Sequence, residues 1–61
     1  MTKTEFFKAN RNKAIEHATK NFDKLDNFLG NTNRAKALNA EDKLQEYAQI
    51  CLESWFDDLQ N

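Results

Sequence analysis

Apolar residues recur at the spacing of an α-helix in two stretches of the chain. On a helical wheel, the first stretch gathers its apolar residues within about 100° of arc, namely Phe7, Ala14, Ile15, Ala18, Phe22, Leu25 and Leu29, with Phe28 at the edge. The second stretch forms a similar stripe from Ala37, Ala40, Leu44, Ala48, Cys51, Leu52, Trp55 and Leu59. The pattern predicts an all-α protein with two amphipathic helices, at about 4–29 and about 33–59.

The predicted helices are separated by a turn at 30–33, around the only glycine of a chain that has no proline. Gly30 lies in "LGNTN", a cluster of residues typical of helix caps and turns. A second candidate break follows, because Asn39 stands three residues before Asp42, as an N-cap residue does before the acids of a first turn. Either the second helix is unbroken, or a short turn at 33–38 precedes a helix from 40. We favour the unbroken helix.

The chain, residues 1–61, is expected to form a single domain, an antiparallel helical hairpin with Trp55 near Phe7 and Leu44 near Phe22. Small residues in both stripes would let the helix axes approach closely: Ala14, Ala18, Ala37, Ala40 and Ala48. A chain of this length buries only about 60% of the surface that it exposes when unfolded. Each hairpin would therefore leave a flat apolar stripe uncovered, and two hairpins facing each other predict a homodimeric four-helix bundle.

Residues for catalysis or metal binding are scarce. The chain has one cysteine, Cys51, and one histidine, His17, which excludes an intrachain disulfide and falls short of the three or four ligands of a zinc site. One glycine is too few for a phosphate-binding loop. Cys51 belongs to the apolar stripe of the second helix, whereas His17 lies outside the apolar stripe of the first helix, which argues against a thiol–base pair. We expect no enzymatic activity and no cofactor.

No part of the sequence resembles a membrane span or a signal peptide. The longest apolar run is "ICL" at 50–52, far below the roughly 20 residues that cross a bilayer. The N-terminus lacks the apolar segment of a signal peptide. We therefore expect a cytoplasmic protein without membrane contacts.

The net charge of −1 conceals an asymmetry between the two halves of the chain. Residues 1–36 carry eight Lys and Arg against four acids, a balance of +4, and residues 37–61 carry one Lys against six acids, a balance of −5. Such asymmetry indicates an interaction with an acidic partner. Attraction between the two neighbouring helices explains it equally well.

Basic and amide side chains gather on one face of the first helix. A wheel places six residues within about 80° of each other: Phe6, Asn10, Lys13, His17, Lys20 and Lys24, with Lys3 and Asn21 beside them. The acids of this helix fall on a different arc, about 100° away: Glu5, Glu16, Asp23 and Asp26. Lysine, asparagine and histidine in a row with an aromatic residue suit contacts with RNA phosphates and sugars. The six residues and Lys3 are therefore the candidate RNA-binding site, and the alternative is an ordinary solvated lysine face.

Several short motifs are spread along the whole chain: "MTK" at 1–3, Asn10, "DKL" at 23–25, and the series Tyr47, Cys51, Leu52, Phe56, Asp57 and Asp58. Together they resemble the Rop family, small plasmid-copy-number regulators that bind paired RNA loops. Aligning them requires a one-residue shift in both helices. The resemblance implies a helical hairpin that dimerises into a four-helix bundle.

The resemblance also implies an RNA-binding face on the first helix and its symmetry mate, built from asparagine, phenylalanine, glutamine and lysine. Asn10 and Lys24 match that set in type. His17 falls where the glutamine is expected, and Lys13 where the phenylalanine is expected. The missing aromatic departs from the family, because that ring should stack against the RNA. Phe6, two turns earlier, is the only aromatic residue on this face.

A small protein-binding regulator, such as a phage or mobile-element inhibitor of a host protein, fits the composition equally well. The acidic second helix would then supply the binding surface, with Ile50 opposite the apolar stripe and Phe56 at its edge. Reversing the charges of Lys13 and Lys20 separates the two hypotheses, because it should abolish RNA binding and spare a protein contact.

Overall fold

A computed structural model describes residues 1–60, and the regular structure in that range is entirely helical. Four helices follow one another along the chain: α1 (Lys3–Lys20), α2 (Phe22–Leu29), α3 (Asn33–Lys36) and α4 (Ala40–Gln60). The long helices α1 and α4 pack against each other, and α2 contacts both. The predicted all-α class is confirmed. Within the described residues, every helix is too short or too polar to cross a membrane.

Contacts between helices show that the chain reverses direction between α1 and α4. Phe6, near the start of α1, contacts Phe56, near the end of α4, with ring centroids 5.6 Å apart. Asp26 in α2 lies 3.5 Å from Lys43 in the first turns of α4, measured from Oδ1 to Nζ. The chain therefore has the arrangement of a helical hairpin, whose N-terminal arm comprises α1 and α2.

The start of α1 is fixed by a capping box. The Thr2 hydroxyl accepts a hydrogen bond from the Glu5 backbone N–H at 3.2 Å, and the Glu5 carboxylate accepts one from the Thr2 N–H at 3.3 Å. This exchange satisfies backbone donors that the first turn of a helix leaves free. The helix begins at Lys3, close to the predicted start.

The N-terminal arm contains two helices, because the helix is interrupted at Asn21. The Asn21 backbone leaves the helical region, at φ −113° and ψ 21°, and its side-chain amide donates to the His17 carbonyl at 2.9 Å. Side-chain bonds of this kind compete with the backbone bonds of a helix. The prediction of one helix over about 4–29 is corrected accordingly, since α2 starts afresh at Phe22.

A short helix, rather than a simple turn, lies between the two arms of the hairpin. The Thr32 hydroxyl accepts from the Ala35 N–H at 3.1 Å and caps the start of α3. The Asn39 Oδ1 atom accepts from the Asp42 N–H at 2.8 Å and does the same for α4. The second long helix therefore begins at Ala40 instead of about 33. Our preference for an unbroken helix is corrected, and the alternative with a break is the observed one.

The core lies between α1 and α4 and depends on small residues. Five of its side chains have no exposed surface: Ala14, Ala18, Tyr47, Ala48 and Leu52. Because an alanine side chain is a single methyl group, these three alanines let the helix axes approach closely. Ala37 and Ala40, which were expected in the interface, are exposed because α4 only begins at Ala40.

Aromatic contacts near the ends of the chain differ from the predicted pairing. Phe56, not Trp55, is the neighbour of Phe7, with ring centroids 6.4 Å apart. Phe6 joins the core by contacting Phe56 and is only 8% exposed. Leu59, which the wheel assigns to the apolar stripe, is 68% exposed, one residue before the end of α4.

Candidate functional site

One face of the hairpin carries an open groove between α1 and α4. Its volume is about 570 Å³, within the range of sites that bind small ligands. Eight side chains line it: Phe6, Asn10, Lys13, Glu16, His17, Lys20, Trp55 and Leu59. Five of the seven residues predicted for the RNA-binding site therefore lie along one surface feature, which we name the α1–α4 groove.

The spacing along α1 explains why these polar side chains share the groove. Lys13, His17 and Lys20 are separated by four and three residues, so they project from one side of the helix. Asn10 precedes Lys13 by about one turn, and its amide Nδ2 donates to the Phe6 carbonyl at 3.0 Å. This bond orients the Asn10 side chain and leaves its carbonyl oxygen as an acceptor.

Glu16 lines the same groove, so acids and bases are less separated on α1 than the wheel predicted. Its carboxylate Oε1 lies 3.0 Å from Lys20 Nζ, and both side chains are well exposed. An exposed ion pair between residues one turn apart adds little stability. The pair therefore does little to hold either side chain in place.

Trp55 supplies the main aromatic surface of the groove. Its ring centroid lies 5.5 Å from that of His17, with 70° between the ring planes, an edge-to-face geometry that aromatic pairs prefer. Trp55 remains partly exposed. It was not predicted as a site residue, because its wheel position assigned it to the core and its expected neighbour was Phe7.

Phe6 lies under the groove instead of on a solvated face. Its burial against Phe56 leaves 8% of the residue exposed. Phe6, the aromatic residue expected on this face, therefore offers little accessible ring surface. Trp55, from the neighbouring helix α4, is the partly exposed aromatic residue of the groove.

Lys3 and Lys24 lie outside the groove. The Lys3 ammonium is 5.5 Å from the ring centroid of Phe7, in cation–π geometry. Lys24 belongs to α2, beyond the interruption at Asn21. The predicted strip of seven residues is therefore divided, and five of them share the groove.

The single thiol of the chain is placed in the core. Cys51 is buried, and burial raises the pKa of its thiol, which works against a reactive thiolate. Among residues 1–60, the side chains of His, Cys, Asp and Glu form no group of three that could bind a metal ion. The α1–α4 groove brings polar and aromatic side chains together in one place.

No protein-family model matches this chain, and no curated protein and no solved structure matches it either. The function is therefore inferred from the geometry of the α1–α4 groove and from the sequence.

Proposed function

We propose that the protein is a non-catalytic regulator that binds structured RNA through the α1–α4 groove. The observation that supports this function is the row of Lys13, His17 and Lys20 beside the partly exposed ring of Trp55. Lysine side chains contact phosphates, and aromatic rings stack on bases. Both kinds of group line one open groove here, which suits a nucleotide chain better than a compact substrate.

The acidic neighbour of Lys20 opposes this function only weakly. The Glu16–Lys20 pair is exposed, so water and salt screen it. An RNA backbone presents several phosphates at once and releases condensed counterions when lysines neutralise them. Affinity for RNA should therefore fall roughly tenfold or more between about 50 and about 300 mM salt. Equal binding at both salt concentrations would contradict the proposed function.

The Rop-like features of the sequence support the same function. In that family, an aromatic residue of the RNA-binding face is expected at the position of Lys13. In this protein, Trp55 of α4 places its ring against His17, one turn further along α1. We propose that Trp55 takes over the stacking role from the neighbouring helix.

We also propose that two copies form a homodimeric four-helix bundle, as the short chain favours. A second, largely apolar groove of about 320 Å³ is lined by Thr19, Phe22, Ala40, Glu41 and Leu44. A second copy covering it would bury apolar surface that one chain leaves open, and would place two α1–α4 grooves on one particle. Sedimentation equilibrium should give the mass of two chains, and the mass of one chain at high concentration would contradict the dimer.

Substitutions that remove charge from the groove test RNA binding. K13Q combined with K20Q should weaken the binding of a hairpin RNA by roughly tenfold or more at low salt, because each change removes a phosphate contact. The matched control is K8Q combined with K36Q, which removes the same charge from two exposed lysines outside the groove. Glutamine and lysine have similar helix propensities, so both variants should fold. Equal weakening by both pairs would show that net charge, and not the groove, governs binding.

A protein-binding regulator is the second candidate, because large apolar side chains stay on the surface. Phe28 is 86% exposed and Ile50 is 37% exposed. Phe56, which was expected to join Ile50 in a binding surface, packs against Phe6 instead. A protein partner should bind the K13Q/K20Q variant as well as the wild type and should lose affinity for F28S, whereas RNA should respond in the opposite way.

A further inference from the structure

The order of side chains along the α1–α4 groove indicates which part of an RNA enters it. Lys13, His17 and Lys20 follow each other on α1, and the His17–Trp55 pair lies between the two lysines. At a rise of 1.5 Å per residue, the Cα atoms of the two lysines are about 10 Å apart. Along α1, the aromatic pair of His17 and Trp55 is thus flanked by one lysine on each side, and the groove continues past Lys13 to Asn10 and Phe6.

We infer that the groove binds one unpaired nucleotide, with its base against the indole ring of Trp55 and its flanking phosphates on Lys13 and Lys20. This inference rests on the proposed RNA-binding function and adds the class of ligand. A base within a duplex is stacked on its neighbours, so both of its faces are covered. Sequence-specific proteins accordingly stack on bases in loops, bulges and single strands. Such a base can present a face to Trp55.

The surroundings of Trp55 favour a flat apolar ligand. His17 meets the indole at 70°, so the two rings are not stacked face to face. Phe6 and Leu59 add apolar surface to the same groove. Base stacking on an exposed aromatic ring tolerates any base, because every base has a π-face. The aromatic pair therefore predicts binding of unpaired nucleotides with little dependence on the identity of the base.

Replacing Glu16 should increase the affinity of the groove for an unpaired nucleotide. The Glu16 carboxylate lies 3.0 Å from Lys20 Nζ within the groove, so it both occupies that lysine and repels an incoming phosphate. E16Q removes the charge and nearly preserves the shape of the side chain. This variant should bind an unpaired nucleotide about threefold more tightly at low salt, as expected for one unit charge several ångströms away in water. A gain in affinity cannot arise from a loss of folding.

The fluorescence of Trp55 tests the inference, because the chain has a single tryptophan. The ligands are a short unstructured single-stranded RNA, a blunt RNA duplex of the same length, a hairpin RNA with an unpaired loop, and a free nucleoside monophosphate. The single strand and the hairpin should quench the emission by stacking on the indole, and both should bind E16Q more tightly than the wild type. The duplex should leave the emission unchanged.

The possible results separate this inference from the proposed function. Binding of the hairpin without any quenching, or equal quenching by the duplex, would overturn the inference and leave RNA binding in place. No binding of any RNA would overturn the proposed function, and quenching by the free nucleotide alone would then assign the groove to that ligand. Weaker binding to E16Q would overturn the placement of a phosphate on Lys20.

Discussion

The Tyr47 hydroxyl donates a hydrogen bond to Asp26 Oδ1 at 2.7 Å and thereby joins α4 to α2. Tyr47 has no exposed surface, and Lys43 Nζ lies 3.5 Å from the same carboxylate oxygen. The hydrogen bond from Tyr47 and the charge of Lys43 lower the pKa of Asp26. Burial, together with the Asp26 carboxylate, raises the pKa of Tyr47 to about 12. The contact gives α2 a specific attachment to the long helix.

The variant Y47F removes this hydrogen bond and keeps the buried ring. It should lower the free energy of unfolding by about 1 kcal/mol. The loss is limited because the Asp26 side chain is 38% exposed and can bind water instead. Urea denaturation followed by circular dichroism measures the change. A variant as stable as the wild type would show that the bond contributes nothing to folding.

The same bond predicts a loss of stability at alkaline pH. The ordinary tyrosine pKa of about 10 applies to the unfolded chain, whereas folded Tyr47 keeps its proton until about pH 12. Its contribution to stability is therefore complete below about pH 10 and is lost as the pH rises through about 12. The free energy of unfolding is measured over this pH range for the wild type and for Y47F. The difference between the two curves isolates the contribution of Tyr47 from that of the lysines. A difference that stays constant over this interval would contradict the raised pKa.

Gly30 is required by its closeness to Asp26, although its backbone is helical. Its φ of −66° and ψ of −17° suit any residue, so the backbone alone predicts that G30A stabilises the protein by about 0.4–1 kcal/mol. A Cβ atom added at Gly30 would collide with the backbone carbonyl oxygen of Asp26 and would lie 2.7 Å from the side-chain Oδ1 of Asp26. We therefore expect G30A to destabilise the protein by about 1–3 kcal/mol in urea denaturation. A stabilised variant would be evidence against the close approach.

Asn39 decides where the second long helix begins. Its side chain accepts from the Asp42 N–H, so N39A should lower the free energy of unfolding by about 1 kcal/mol. If the helix instead ran unbroken from about 33, the same change would stabilise it, because alanine is the better residue inside a helix. N27A is the matched control, since Asn27 is exposed within α2. In thermal denaturation, N39A should lower the melting temperature and N27A should raise it.

The packing of α1 on α4 is predictable from the sequence, because each helix sets its own apolar periodicity. Four fully buried residues lie on the predicted stripes: Ala14, Ala18, Ala48 and Leu52. Phe6 and Tyr47 do not, since a wheel describes one helix without its neighbours. Phe56 of α4 covers Phe6, and Phe22 of α2 lies 5.6 Å from Tyr47 between ring centroids.

The interruptions of the helices are less predictable, because each depends on one side chain and a nearby backbone group. Asparagine occurs both inside helices and at their ends, and the sequence alone does not decide which role Asn21 has. Asn39 gives a clearer signal through its spacing from Asp42. Thr2 and Glu5 match the capping-box spacing and could have located the start of α1 from the sequence.

The row of polar residues in the candidate site is predictable, but its aromatic partner is not. The spacing of Lys13, His17 and Lys20 is a property of α1 alone. The contact between His17 and Trp55 depends on where α4 lies across α1. The break at Asn21 and the short helix α3 were not part of the predicted hairpin either.

The central claim, that the α1–α4 groove binds RNA, is tested most directly by mapping the contact at single residues. A hairpin RNA is titrated into nitrogen-15-labelled protein, and the amide and indole N–H signals are followed by NMR. We expect the largest shifts in the groove, at Asn10, Lys13, His17, Lys20 and the indole N–H of Trp55. Shifts centred on Phe28 and Ile50, or no shifts at all, would contradict the claim.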